Sequence, residues 1–178
     1  MSELSEPASQ FGRHGGASIV QLNVSRGGMP KRPVDSAEVT PLGLTGDSHA
    51  HPQIHGGPRQ AVLLITAEGI DELIALGFPL YFGALGENLT TRGLDFKNLR
   101  IGDQLRAGGA TLEITLPRFP CANLNPYGET LRGEIYDQQV FARDPASAHW
   151  GMSGFYASVI SPGPVGPGDI IAVVATLA

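Results

Sequence analysis

Cysteine occurs once in the 178 residues, at Cys121. That excludes an intramolecular disulfide and any zinc or iron–sulfur site built from several thiolates, and it suits a reducing compartment. Lysine occurs only at Lys31 and Lys97, and 12 Lys and Arg stand against 17 Asp and Glu, a formal net charge of −5. An acidic chain without a basic stripe has no electrostatic grip on nucleic acid or on an anionic membrane, so neither is an expected partner. No apolar run approaches the ~18 residues that read as a membrane span. The N-terminus carries Glu3 and Glu6 where a signal peptide has positive charge. A soluble, cytoplasmic protein is the expectation, with residues 1–16 a flexible tail and 17–178 one domain. At this length folding buries roughly 70% of the unfolded chain's surface, so a core is expected to hold without staples.

The 24 Gly and 14 Pro punctuate short apolar runs rather than forming a repeat. That pattern predicts a mainly β fold. Strands are expected over 17–24, 61–65, 87–90, 103–107, 110–116, 154–161 and 169–175. Gly102-Asp103 and Gly168-Asp169 read as tight turns, since Gly accepts positive φ and Asp bonds nearby backbone. One helix is expected over 67–76, capped by Thr66, with Ile70, Leu73 and Ile74 on its buried face and Gly77 as its stop. A second, shorter helix is expected after Pro126. Many short strands, one or two helices and no βαβ alternation point to a β-barrel whose long loops carry the chemistry.

The densest polar stretch, residues 43–58, holds His49, His51 and His55 with Asp47. Three imidazoles this close suit zinc, copper or iron, but the favoured reading is an irregular loop in which they bond backbone or face water, with a proton donor or oxyanion ligand as the third. In His55-Gly56-Gly57 the glycines bare the backbone N–H groups, which favours an anionic ligand, with Arg59 downstream as a counter-charge; a tight turn before the strand reads equally well. In Pro117-Arg118-Phe119-Pro120-Cys121 two prolines hold a thiol beside a cation. Such a thiol is a nucleophile or a soft metal ligand when active, and a small buried hydrophobe when not. Gly86-Glu87-Asn88 opens a strand with a carboxylate that can donate a proton or orient a histidine and an amide that can bond a ring edge; both residues also suit a strand end facing water.

The order Gly27-Gly28-Met29-Pro30-Lys31, Gly43-Leu44-Thr45-Gly46-Asp47, His55-Gly56-Gly57-Pro58, Gly86-Glu87-Asn88, Gly102-Asp103, Arg118-Phe119-Pro120-Cys121 and Gly163 to Asp169 resembles the MOSC domain. That is the C-terminal domain of molybdenum-cofactor sulfurases, which also exists as stand-alone bacterial proteins. The resemblance covers about 19–175. It implies a MOSC-like β-barrel and a pterin-bound molybdenum held near Cys121. It further implies a pocket lined by Asp47, His55, Gly56, Gly57, Glu87 and Asn88, with Arg59 or Arg118 meeting the pterin phosphate. The pattern assigns nothing to His49 or His51. Several stand-alone relatives carry a further C-terminal helical segment, whereas this sequence stops at Ala178, so a redox partner held by such a segment is expected to dock differently or not at all.

The resemblance leads to one expected activity, the reduction of N-hydroxylated compounds, hydroxylaminopurines or amidoximes, to the amines. Molybdenum would carry the oxygen transfer at Cys121, and His55 or Glu87 would supply protons. No flavin, haem or iron–sulfur motif is present, so the activity needs a separate electron-donor protein. A second reading is a non-redox module that holds the cofactor, or carries sulfur as a Cys121 persulfide. A third, a zinc hydrolase on His49, His51 and His55, requires metal retention without Cys121.

Overall fold

The computed structural model describes residues 16–49 and 56–176. In chain order the strands and helices are β1 (Ser18–Val24), β2 (Arg32–Val34), β3 (Ala37–Thr40), β4 (Gly43–Leu44), β5 (Val62–Thr66), α1 (Ala67–Ala75), β6 (Leu89–Arg92), β7 (Gln104–Ala107), β8 (Ala110–Pro117), α2 (Leu131–Ile135), α3 (Gln138–Phe141), β9 (Phe155–Ser161), β10 (Gly163–Val165) and β11 (Ile171–Ala175). Two 3-10 turns, Pro58–Gln60 and Ala122–Tyr127, flank the candidate site. Eight strands form one mixed sheet in the order β11-β7-β8-β9-β5-β6-β1-β2, and β10-β3-β4 form a second, smaller sheet. An isolated bridge between Ser18 and Ile170, with backbone hydrogen bonds from Ile19 to Asp169 and from Ile171 to Ala17, joins β1 to the approach to β11.

All seven expected strands form, with ends shifted by one or two residues. The expected turn chemistry holds at both Gly-Asp pairs: Asp103 Oδ2 accepts the Arg100 N–H at 2.7 Å and Asp169 Oδ2 accepts the Gly166 N–H at 2.8 Å. Thr66 caps α1, its hydroxyl accepting the Gly69 N–H at 3.1 Å. Three expectations need correction. Ile70 and Leu73 are buried under α1, but Ile74 is 43% exposed and lies at the margin of the buried face. The sequence pattern showed no βαβ alternation, yet β5, α1 and β6 form one βαβ unit, the only parallel pairing among the described strands. Finally, the stretch after Pro126 carries two short helices, α2 and α3, rather than one.

The unbroken apolar run of β5 is explained by burial on both faces. Val62 and Leu64 belong to one core cluster, with Ile19, Leu89, Leu112 and Phe155. Leu63 and Ile65 belong to the other, with Ile70, Leu85, Leu124 and Leu131. Alternation across the pleat sends successive residues to opposite faces, so each face of β5 seeds a different core. The second cluster lies beneath α1, α2 and the loops that build the candidate site.

Candidate functional site

Six chain segments meet at the site: the loop into β2, the loop after β4, the turn before β5 with the start of β5, the stretch before β6, the stretch after β8, and the start of β9. Their junction is a polar cluster around Asp47. Its Oδ1 accepts the Ser25 N–H at 2.8 Å, while Oδ2 accepts the Asn88 side-chain amide at 2.8 Å and pairs with the Lys31 ammonium. The Lys31 and Asp47 side chains are only 6% and 3% exposed. Burial pulls the Lys31 ammonium below its ordinary range, and the charges of Asp47 and Glu87 pull it back up. A buried charge is tolerated only when paired and hydrogen-bonded, and Asp47 meets that condition for Lys31.

Asn88 is saturated by the scaffold. Its Oδ1 accepts the Leu63 N–H at 3.1 Å and its Nδ2 donates to the Asn23 carbonyl at 3.2 Å as well as to Asp47. Glu87 is fully buried and does not line the cleft: Oε1 accepts the Gly83 N–H at 2.6 Å and the Thr90 hydroxyl at 3.0 Å, and Oε2 has no partner among the described residues. Burial raises its carboxyl above the ordinary range, against the lowering effect of these hydrogen bonds and of Arg118. Gly83 is required here, since at its φ of 96° an added Cβ would strike the Lys31 carbonyl.

Above this cluster opens a cleft. Arg118 and Cys121, Phe119 between them, and Asn123 beyond line one part; Lys31, Met29 and Leu63 line another, with Tyr156 from β9. The Arg118 guanidinium is buried, donates from Nη2 to the Leu85 carbonyl at 2.8 Å, and touches the Met29 sulfur at 3.7 Å. Its Nη1 is buried with no hydrogen-bond partner among the described residues. Burial pushes Arg118 down from its ordinary value, but an arginine still holds its proton. The Tyr156 phenol is pushed up by burial, so it is a protonated donor at neutral pH. Cys121 is half-buried at the N-cap position of the 3-10 turn Ala122–Tyr127, in the electrostatic neighbourhood of both Arg118 and Tyr156.

Of the residues singled out from sequence, Arg118 and Cys121 line the cleft together, Asn88 borders it, and Asp47 and Glu87 lie behind it. Arg59 sits on the 3-10 turn Pro58–Gln60 with its side chain exposed, away from the cleft lining, and its carbonyl accepts the Thr115 hydroxyl at 2.5 Å. Gly57 caps that turn with open space at its Cβ position. The room left by Gly56 is taken by the His49 imidazole, which an added Cβ would meet at 2.6 Å, and His49 lines the cleft. His51 and His55 lie outside the described residues; among those described, no group of three or more His, Cys, Asp or Glu is placed to hold a metal ion. Sequence reasoning gave Lys31, Phe119 and Tyr156 no role. For Lys31 the available signal was scarcity, one of two lysines placed directly after a Gly-Gly-Met-Pro turn. No helix among the described residues is long and apolar enough to cross a membrane.

The chain is similar to several known proteins. It is 34% identical over 145 residues to the uncharacterized protein YflK of Bacillus subtilis, covering 79% of this chain and 60% of that one. It is 36% identical over 132 residues to protein YiiM of Escherichia coli, covering 71% of this chain and 54% of YiiM. The chain thus spans little more than half the length of these curated relatives. Crystal structures of YiiM from Geobacillus stearothermophilus and from Escherichia coli superpose with TM-scores of 0.63 and 0.59, at 26% and 27% identity. They match over 89% and 92% of this chain and 75% and 70% of theirs. Residues 51–172, which include Glu87, Asn88, Arg118 and Cys121, match the MOSC domain, and the chain belongs to that family.

Proposed function

We propose that the cleft holds a molybdenum cofactor with Cys121 as the protein's metal ligand, and that the protein reduces N-hydroxylated compounds, hydroxylaminopurines or amidoximes, to the amines with electrons from a separate donor protein. The observation that carries this reading is that Cys121 shares its cleft with Arg118, a buried cation whose Nη1 makes no close hydrogen bond among the described residues and has the Tyr156 phenol nearby. A soft thiol beside a buried guanidinium fits a metal bound to an anionic organic group. Lys31 adds a second buried cation to the same lining. The family match supports the reading, as does 39% identity over 88 residues to a Gibberella moniliformis protein named "Reductase", although that match covers only 47% of this chain and 16% of that protein.

When bound, the cofactor would supply the redox chemistry, taking the oxygen from the N–O bond. The chain's own residues would do the rest. Reduction of R–NHOH to R–NH2 and water consumes two electrons and two protons, so proton donors must face the substrate. Lys31 and Tyr156 line the cleft with protons to give, whereas Glu87 faces the Gly83–Thr90 scaffold. Glu87 is therefore assigned to holding the loop that positions Lys31, and Asp47 to fixing the Lys31 ammonium. Arg118 would hold the anionic part of the cofactor, as the resemblance implies. The barrel it implies draws support from the Ser18–Ile170 bridge between the outer parts of the sheet.

The test is metal analysis of protein from a cofactor-competent host grown with molybdate, wild type beside Cys121→Ala, with circular dichroism to confirm that both fold. Stoichiometric molybdenum in the wild type, lost in the folded variant, is expected, together with turnover of an N-hydroxylated substrate by a chemical reductant. Sulfur releasable by cyanide from Cys121, without molybdenum, would replace this reading with the sulfur carrier. Zinc retained in both proteins would move the chemistry to the histidine loop.

A further inference from the structure

Between Pro117 and Pro120, Pro117, Arg118 and Pro120 are buried, while Phe119 is 61% exposed. An apolar ring held in water beside the only thiol of the chain lines the same cleft as Cys121. Among the described residues its aromatic neighbour is Tyr136, at 5.5 Å between centroids and an interplanar angle of 81°. In an edge-on pair one ring presents its edge to the other's face, so Tyr136 covers at most one face of Phe119, and 61% of the residue stays accessible among the described residues. Prolines on both sides limit the backbone, and the buried guanidinium of Arg118 anchors the segment at the Leu85 carbonyl, so the ring is presented with little freedom to lose on binding. Asn123, two residues beyond Cys121, places a carboxamide on the same lining, suited to the nitrogen-bearing edge of a flat heterocycle.

We propose that Phe119 is a stacking platform for the planar heteroaromatic ring of the substrate, and so sets a preference for N-hydroxylated bases over aliphatic hydroxylamines. The inference rests on the reductase reading for the reacting group but not for the ring. Stacking places the ring two residues from the thiol, and the exocyclic nitrogen, in the plane of the base, can extend past the platform edge towards Cys121. Aliphatic hydroxylamines offer no π face and gain nothing from Phe119.

The probe is adenine, the amine expected from 6-hydroxylaminopurine, titrated calorimetrically into wild type, Phe119→Ala and Phe119→Trp, all purified with cofactor as isolated and checked for molybdenum content. Adenine binding to the wild type is expected, weakened about tenfold or more in Phe119→Ala, since loss of one base–aromatic stack has that order of effect, and retained in Phe119→Trp. The ratio of kcat/KM for 6-hydroxylaminopurine over N-methylhydroxylamine should fall with it in Phe119→Ala, with molybdenum content unchanged. Equal adenine affinity in wild type and Phe119→Ala, or no adenine binding at all, overturns the platform. So does molybdenum loss in Phe119→Ala with adenine affinity intact, which would assign the ring to the pterin. Phe119-dependent adenine binding in a molybdenum-loaded protein that reduces neither substrate would uphold the platform while removing the reductase reading.

Discussion

Lys31 and Asp47 depend on one another more than either depends on solvent. Removing the ammonium alone, as in Lys31→Met, leaves the Asp47 carboxylate buried with, among the described residues, only the Ser25 and Asn88 N–H groups. Breaking a buried pair from one side costs about 3–5 kcal/mol, which for a chain of this size lowers the melting temperature by about 10 °C. Thermal unfolding of Lys31→Met should show that loss, and Lys31→Met/Asp47→Asn should recover a substantial part of it, because the second change removes the orphaned charge. Asp47 and Asn88 were legible in the sequence as a Gly-Leu-Thr-Gly-Asp loop and a Gly-Glu-Asn strand opening. What the sequence hid was the direction in which they act. Asn88 spends its amide on Leu63, Asn23 and Asp47 rather than on a ligand, and Glu87 spends one oxygen on Gly83 and Thr90. Motif spacing names residue types, whereas orientation is decided by partners up to 65 positions away, as for Asn88 and Asn23.

At the scale of elements, the long strands were readable because their apolar runs are bounded by Gly and Asp turns. The missed strands β2, β4 and β10 are two or three residues long, too short for a period of two to declare itself, with proline in β2 and β10, and β3, four residues like β6 and β7, lacks the Gly-led turn that opens those two. The parallel pairing of β5 with β6 was also hidden, since a single helix between two strands fits a meander as well as a crossover. The cap of α1 was readable, and it is testable. Thr66→Ala removes the acceptor of the Gly69 N–H and should cost about 1 kcal/mol in urea unfolding, while Thr66→Ser should restore most of it. The value of this cap lies in where α1 sits: Ile70 and Leu73 cover the cluster that contains Leu63 and Leu85, next to the cleft.

For the whole molecule, the pH dependence of stability carries the mark of Glu87. Its folded carboxyl is raised above the ordinary 4.5 by burial, so over the window from 4.5 up to that raised value the folded protein keeps a proton the unfolded chain has released. Stability therefore falls as pH rises through that window. Lys31 acts in the opposite sense at the alkaline end: between its lowered folded value and 10.5 the unfolded chain binds the extra proton, and stability rises with pH. Urea unfolding over a pH series should show a shallower decline above pH 4.5 in Glu87→Gln than in wild type, with the alkaline limb beginning at lower pH, because the Glu87 charge no longer helps to hold the Lys31 proton. One further consequence follows from the way Asp47 ties Ser25, Lys31 and Asn88, residues 22, 16 and 41 positions away from it. Such contacts close only when the strands carrying them have docked, so the cleft comes into being with the finished sheet rather than on any local fragment of it. A ligand that fits there meets no early folding species. It would lengthen the lifetime of the native protein by slowing its unfolding, and leave the rate at which the chain first reaches that state untouched.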